Sequence, residues 1–194
     1  LRDLGDYAGA AQLFELVLAS DMRNFGEDHS DVAVSQSNLA LVLYDLGDYA
    51  RAAQLLELTL ASGLRNFGEG HPTVAVNQSN LAGVLQRLGD YARAAQLLEL
   101  ALASNLRNFG EDHPNVTLSQ SNLAAVLGEL GDYTRAAQLL ESALASDLRN
   151  FGEQHPNVAV SQSNLALVLR SLGEYTRAAQ LLESALASDL RNFG

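Results

Sequence analysis

Four histidines stand where chemistry could be done: His29, His71, His113 and His155, each two residues after a glutamate and two of them beside a further acid, in Glu27-Asp28-His29 and Glu111-Asp112-His113. An imidazole flanked by carboxylates is a familiar zinc-ligand set, and Glu with His can act as an acid–base pair. An active site, however, needs one asymmetric convergence of different residues. Here the triplet returns every 42 residues (29, 71, 113, 155) and stands before Pro72, Pro114 and Pro156, with Ser30 in the first copy. A group copied once per repeat in front of a proline is better placed to serve a helix entry, as a cap or a loop tie. No phosphate-cradling glycine loop, G-x-S-x-G elbow or H-E-x-x-H pattern occurs, so the chain reads as a non-enzyme without metal or cofactor.

The same period runs through everything else. Ser37 to Tyr49 returns as Ser79 to Tyr91, Ser121 to Tyr133 and Ser163 to Tyr175, each 42 residues on. A fixed period of this size marks a supersecondary unit stacked on copies of itself. The 194 residues divide as the end of a first helix (1–4), units 5–46, 47–88, 89–130 and 131–172, and a half unit 173–194, all in one array. Each unit reads as two helices. In the second copy the first helix runs from Pro72 to Leu88, with an apolar line Val74, Leu81, Leu85 and Leu88, and Gly89 stops it. Asp90 caps the second, from Tyr91 to Phe109, whose apolar side holds Tyr91, Ala94, Ala95, Leu98, Leu102, Leu106 and Phe109. Strand signals are absent. The fold expected is all-α, an α-solenoid of antiparallel helix pairs, close-packed through small residues such as Ala40, Ala82, Ala124 and Ala166.

Composition narrows the partners. The formal net charge is −11 and all 12 basic residues are arginines scattered along the chain, which argues against nucleic acid. Residues 5–46 hold seven acids against one arginine: either a solvated acidic surface or a preference for basic partners near that end. Cysteine is absent, which excludes disulfides and thiolate chemistry. No apolar run is long enough to span a bilayer and no signal-peptide pattern opens the chain, so no membrane is expected and a cytoplasmic location is the default.

The pattern N-L-A-x-V-L-x-x-L-G-[DE]-Y-x-[RG]-A-A-x-L resembles the tetratricopeptide repeat, usually about 34 residues long. The longer period, with a G-E-D-H-P-N-V linker before S-N-L-A, is similar to the kinesin light chain repeat. The resemblance implies a right-handed superhelix whose first helices line a concave groove. It also implies that the Asn of the S-N-L-A motif, Asn38, Asn80, Asn122 and Asn164, contacts the main chain of a bound peptide. Similar arrays follow nucleotide-binding switch domains, which implies a sensor or docking part of a larger signalling protein.

Comparing the copies singles out positions on that helix that vary while the leucines do not. One reads Leu41, Gly83, Ala125, Leu167; the next Tyr44, Gln86, Gly128, Arg170; the third Asp45, Arg87, Glu129, Ser171. At 100° per residue, Val34, Asn38, Leu41 and Asp45 share a line opposite Val32, Leu39, Leu43 and Leu46, with Tyr44 flanking it. A peptide groove therefore takes in the four asparagines with Leu41, Tyr44, Asp45, Gly83, Gln86, Arg87, Ala125, Glu129, Leu167 and Arg170. Arg87 and Arg170, separated by Glu129, depart from the clustered cations with which chaperone-binding relatives grip a carboxylate tail. The competing expectation is a structural spacer that self-associates end to end.

Overall fold

The computed structural model describes residues 7–193; the expected end of a first helix at 1–4 lies outside them. Among the described residues there are nine α-helices and no strand: α1 Tyr7–Phe25, α2 Ser30–Leu46, α3 Tyr49–Phe67, α4 Pro72–Arg87, α5 Tyr91–Phe109, α6 Pro114–Glu129, α7 Tyr133–Phe151, α8 Pro156–Ser171 and α9 Tyr175–Phe193. Two compact units are present, one ending at Leu97 and the other beginning at Leu98. In the first, α1 to α4 pack each on the next; in the second, α6 to α9 do the same.

Local chemistry sets each helix boundary. His71 takes an extended conformation at the N-cap and its Nδ1 accepts the Thr73 amide at 3.2 Å, with Pro72 at the first helical position where a missing N–H costs nothing. His29, His113 and His155 cap α2, α6 and α8 in the same way. Each imidazole also stacks on the phenylalanine that ends the previous helix, for instance Phe109 on His113 with ring centroids 4.5 Å apart. The linker histidines thus hold the joint between helices, and their Nδ1 is already engaged. Asp48, Asp90 and Asp132 cap the second helices through the amide three residues on, at 3.2 Å. Glu174, one methylene longer, instead pairs with Arg177 at 2.7 Å. Gly47 closes α2 in the left-handed region at φ +84°, where its amide meets the Tyr44 carbonyl at 3.0 Å.

The core is leucine, valine and alanine. Val32, Leu39, Ala40 and Leu43 of α2 are buried, as are Val74, Leu81, Ala82 and Leu85 of α4. Two details differ from the expected stripe. Leu88 is 47% exposed, and Leu46, Leu130 and Leu172 resemble it: each is the last residue before a left-handed glycine, where the chain turns away from the helix axis. Leu106 and Phe109 are also exposed, the ring turning from the helix face onto His113. Surface ion pairs tie each second helix to the one a repeat earlier: Arg51–Glu15 at 2.7 Å and Arg93–Glu57 at 2.9 Å in the first unit, Arg135–Glu99 and Arg177–Glu141 at 2.8 Å in the second. All are about half exposed and screened by solvent, so each adds little to stability.

One buried polar joint is built two ways. Ser161 donates to Asp147 at 2.5 Å, Ser35 to Asp21 at 2.6 Å, and Asn105 to Ser119 at 2.8 Å, across the same helix contact. In α3 and α4 the sizes are exchanged: Gly63 faces Asn77, whose Nδ2 donates to the Thr59 carbonyl at 3.3 Å. A Cβ at position 63 would stand 3.0 Å from that nitrogen. Gly63→Asp alone should therefore destabilise by about 1–2 kcal/mol through overpacking. Gly63→Asp with Asn77→Ser rebuilds the Ser–Asp joint and should return to within about 0.5 kcal/mol of the parent. Urea denaturation of the single and double variants checks this, and a double variant no better than the single would refute the exchange. His113→Ala should cost about 1 kcal/mol, as for other lost caps, read from the same curves.

Candidate functional site

Burial of the leucine stripe turns the opposite side of each first helix outward. Val34, Val76, Leu118 and Val160 are 58%, 57%, 61% and 60% exposed, so one apolar side chain per first helix faces solvent at the same place. One turn further along lie Asn38, exposed, and Asn80, Asn122 and Asn164, half-buried. None of these four amides has a hydrogen-bond partner among the described residues. Each offers two donors and an acceptor.

The candidate residues fall into three cavities. In the first unit Asn38 and Val34 line one of about 330 Å³, with Phe67, Gly63 and Asn77. Leu41, Tyr44, Asn80 and Gly83 line a second, of about 190 Å³, between α2 and α4. In the second unit a cavity of about 610 Å³ between α6 and α8 gathers Asn122, Ala125, Glu129, Asn164, Leu167 and Arg170. Asp45, Gln86 and Arg87 lie outside these cavities.

The difference between the last two cavities is made by residues that vary from copy to copy. In the first unit the Tyr44 ring meets Tyr49 edge-on at 5.3 Å. Arg87 donates from Nε and Nη2 to the Tyr49 hydroxyl at 3.2 and 3.0 Å and lays its guanidinium 5.3 Å from the ring centroid. That hydrogen bond raises the already high pKa of Arg87. In the second unit the equivalents of Tyr44, Tyr49 and Arg87 are Gly128, Tyr133 and Ser171, and all three line the large cavity. Tyr133 has no ring contact or hydrogen bond from its side chain among the described residues, and Glu129 and Arg170 have no ion pair. Tyr133, Gly128 and Ser171 were not among the candidates read from sequence. Gly128 and Ser171 were visible as variable positions, but a missing side chain offers no chemistry of its own to notice.

The linker triplets do not assemble a metal centre: among the described residues no three His or carboxylate groups converge on one point. Asp28 instead pairs with Arg65, and Asp112 with Arg149. No helix among the described residues is long and apolar enough to cross a membrane.

The family model described as tetratricopeptide repeat matches residues 1–63, 73–149 and 119–191. The chain belongs to the tetratricopeptide repeat family. Among solved structures it is similar to a Podosopora anserina protein described as a kinesin light chain with nearly identical TPR-like repeats. That match has 28% identity and a TM-score of 0.90, covering 98% of this chain and 90% of that one. It is also similar to BtubC (BKLC) from P. vanneervenii, at 26% identity and a TM-score of 0.86 over 100% of this chain and 77% of that one. No curated protein matches the chain. Tetratricopeptide repeats are generally non-catalytic protein-interaction scaffolds, and the kinesin-light-chain-like variety of the fold is present here.

Proposed function

We propose that the chain is a non-catalytic peptide-binding module, working as one repeat array in the sensing or docking part of a larger cytoplasmic signalling protein. Its first helices hold an extended segment. The observation that carries this reading is the repeated pairing of an unpartnered asparagine amide with an exposed valine or leucine one turn away. An amide presented at each repeat can donate to and accept from a peptide backbone whatever its sequence, while the apolar neighbour covers alternate side chains. The variable positions then select. Peptides drawn from a random library by the full chain should lose about tenfold in affinity for Asn80→Ala with Asn122→Ala, since each hydrogen bond contributes about 0.5–1.5 kcal/mol. Fluorescence anisotropy measures the loss; unchanged affinity in a folded variant would overturn the groove.

A second reading, end-to-end self-association, would bury the apolar face that Leu182, Leu186 and Leu190 expose on α9. Gel filtration over a hundredfold concentration range separates the two. Growth with concentration that Leu186→Asp abolishes would support assembly, and a constant monomer volume would dismiss it.

A further inference from the structure

The cavity of the second unit differs in chemistry from its counterpart in the first, and the first unit shows what that place holds when it is filled. Around Tyr49 the chain supplies its own occupants: the Tyr44 ring against one edge, and the Arg87 guanidinium over the ring with two hydrogen bonds to the hydroxyl. Around Tyr133 both occupants are deleted, to Gly128 and Ser171. The tyrosine remains, its ring and hydroxyl unpartnered among the described residues, at the wall of a cavity of about 610 Å³. Glu129, a carboxylate with no ion pair among the described residues, lines the same cavity.

We propose that this cavity takes the side chain of an arginine carried by the bound peptide. The guanidinium repeats the Arg87 arrangement from outside: over the Tyr133 ring, donating to its hydroxyl, with Glu129 as counter-ion. Its aliphatic stem occupies the space that Tyr44 fills in the first unit and that Gly128 leaves open. A guanidinium suits the place better than an ammonium because its planar fork can stack on the ring and donate at the same time. A net charge of −11 on the chain favours the approach of a cationic segment. Arg170 shares the cavity and opposes the incoming charge; the first unit has Gln86 at that position. The inference rests on the peptide-groove reading above and names one residue that the groove selects.

The test uses the full chain and a fluorescein-labelled dodecapeptide of glycine, alanine and serine with one central arginine, beside the same peptide with lysine, tyrosine or alanine there. Fluorescence anisotropy should show the arginine peptide binding about tenfold more tightly than the alanine one, and about threefold more tightly than the lysine one. Gly128→Tyr with Ser171→Arg fills the place from within and should abolish the arginine preference. That variant keeps its fold, since nothing lies within 4 Å of a Cβ at Gly128 and both residues already stand beside Tyr49 in the first unit. Thermal melting no lower than the parent confirms it. Arg170→Gln should tighten the arginine peptide about threefold, and Glu129→Gln should weaken it by a similar factor. Equal binding of the arginine and alanine peptides, both weakened by Asn122→Ala, would overturn the arginine pocket and leave the groove standing. Stronger binding of the tyrosine peptide would assign the cavity to an aromatic side chain and overturn the proposal. If no peptide binds at all, the groove and the pocket fall together.

Discussion

Close approach of alanines is the contact on which the rest depends. Ala40, Ala52, Ala82, Ala94, Ala124, Ala136 and Ala166 are fully or almost fully buried, one for each helix from α2 to α8. A larger side chain at any of them would push two helices apart and open the leucine layers on either side, because packed interiors leave no slack to absorb it. Holding the alanines and leucines constant therefore fixes the orientation of each first helix. Whatever occupies the far side of that helix is carried outward at a set position, and it can change without disturbing the packing.

The joints show the same economy. Histidine and phenylalanine at each entry close the cap and cover the loop, and proline pre-sets the backbone at three of the four, which is why the residues most suggestive of catalysis are spent on structure. Where one copy departs, its neighbour in space compensates. Gly63 and Asn77 divide between them the volume that Asp147 and Ser161 divide the other way round. Such exchanges keep this joint filled and its polar side chains paired, so the outer faces can diverge while the scaffold stays the same.

That freedom is used unevenly. Tyr44 and Arg87 close over Tyr49 in one unit, while Gly128 and Ser171 leave Tyr133 bare in the other. The result is one small, self-filled pocket and one large pocket with unpaired charges of both signs on a common helical frame. Under the proposed reading, a tetratricopeptide scaffold built this way would change its guest by substitutions at two or three positions per repeat that leave the packed layers untouched.

Much of this was legible in the chain itself. A period of 42 residues, glycine after leucine, proline after histidine and the leucine spacing were enough to determine helix pairs, their order and all but a residue or two of their ends, because capping and amphipathic burial act locally. The asparagines and the variable positions could also be assigned to one side of the first helix, since helical geometry alone decides that. Tertiary structure decided the rest. Leu88 and Phe109 left the core because the backbone turns just beyond them, and Gly63 was matched to Asn77 across two helices. Tyr133 became a candidate only when the folded chain showed what was missing around it. Absence of a partner is a property of three-dimensional neighbours, set by residues tens of positions apart, and no one-dimensional pattern records it.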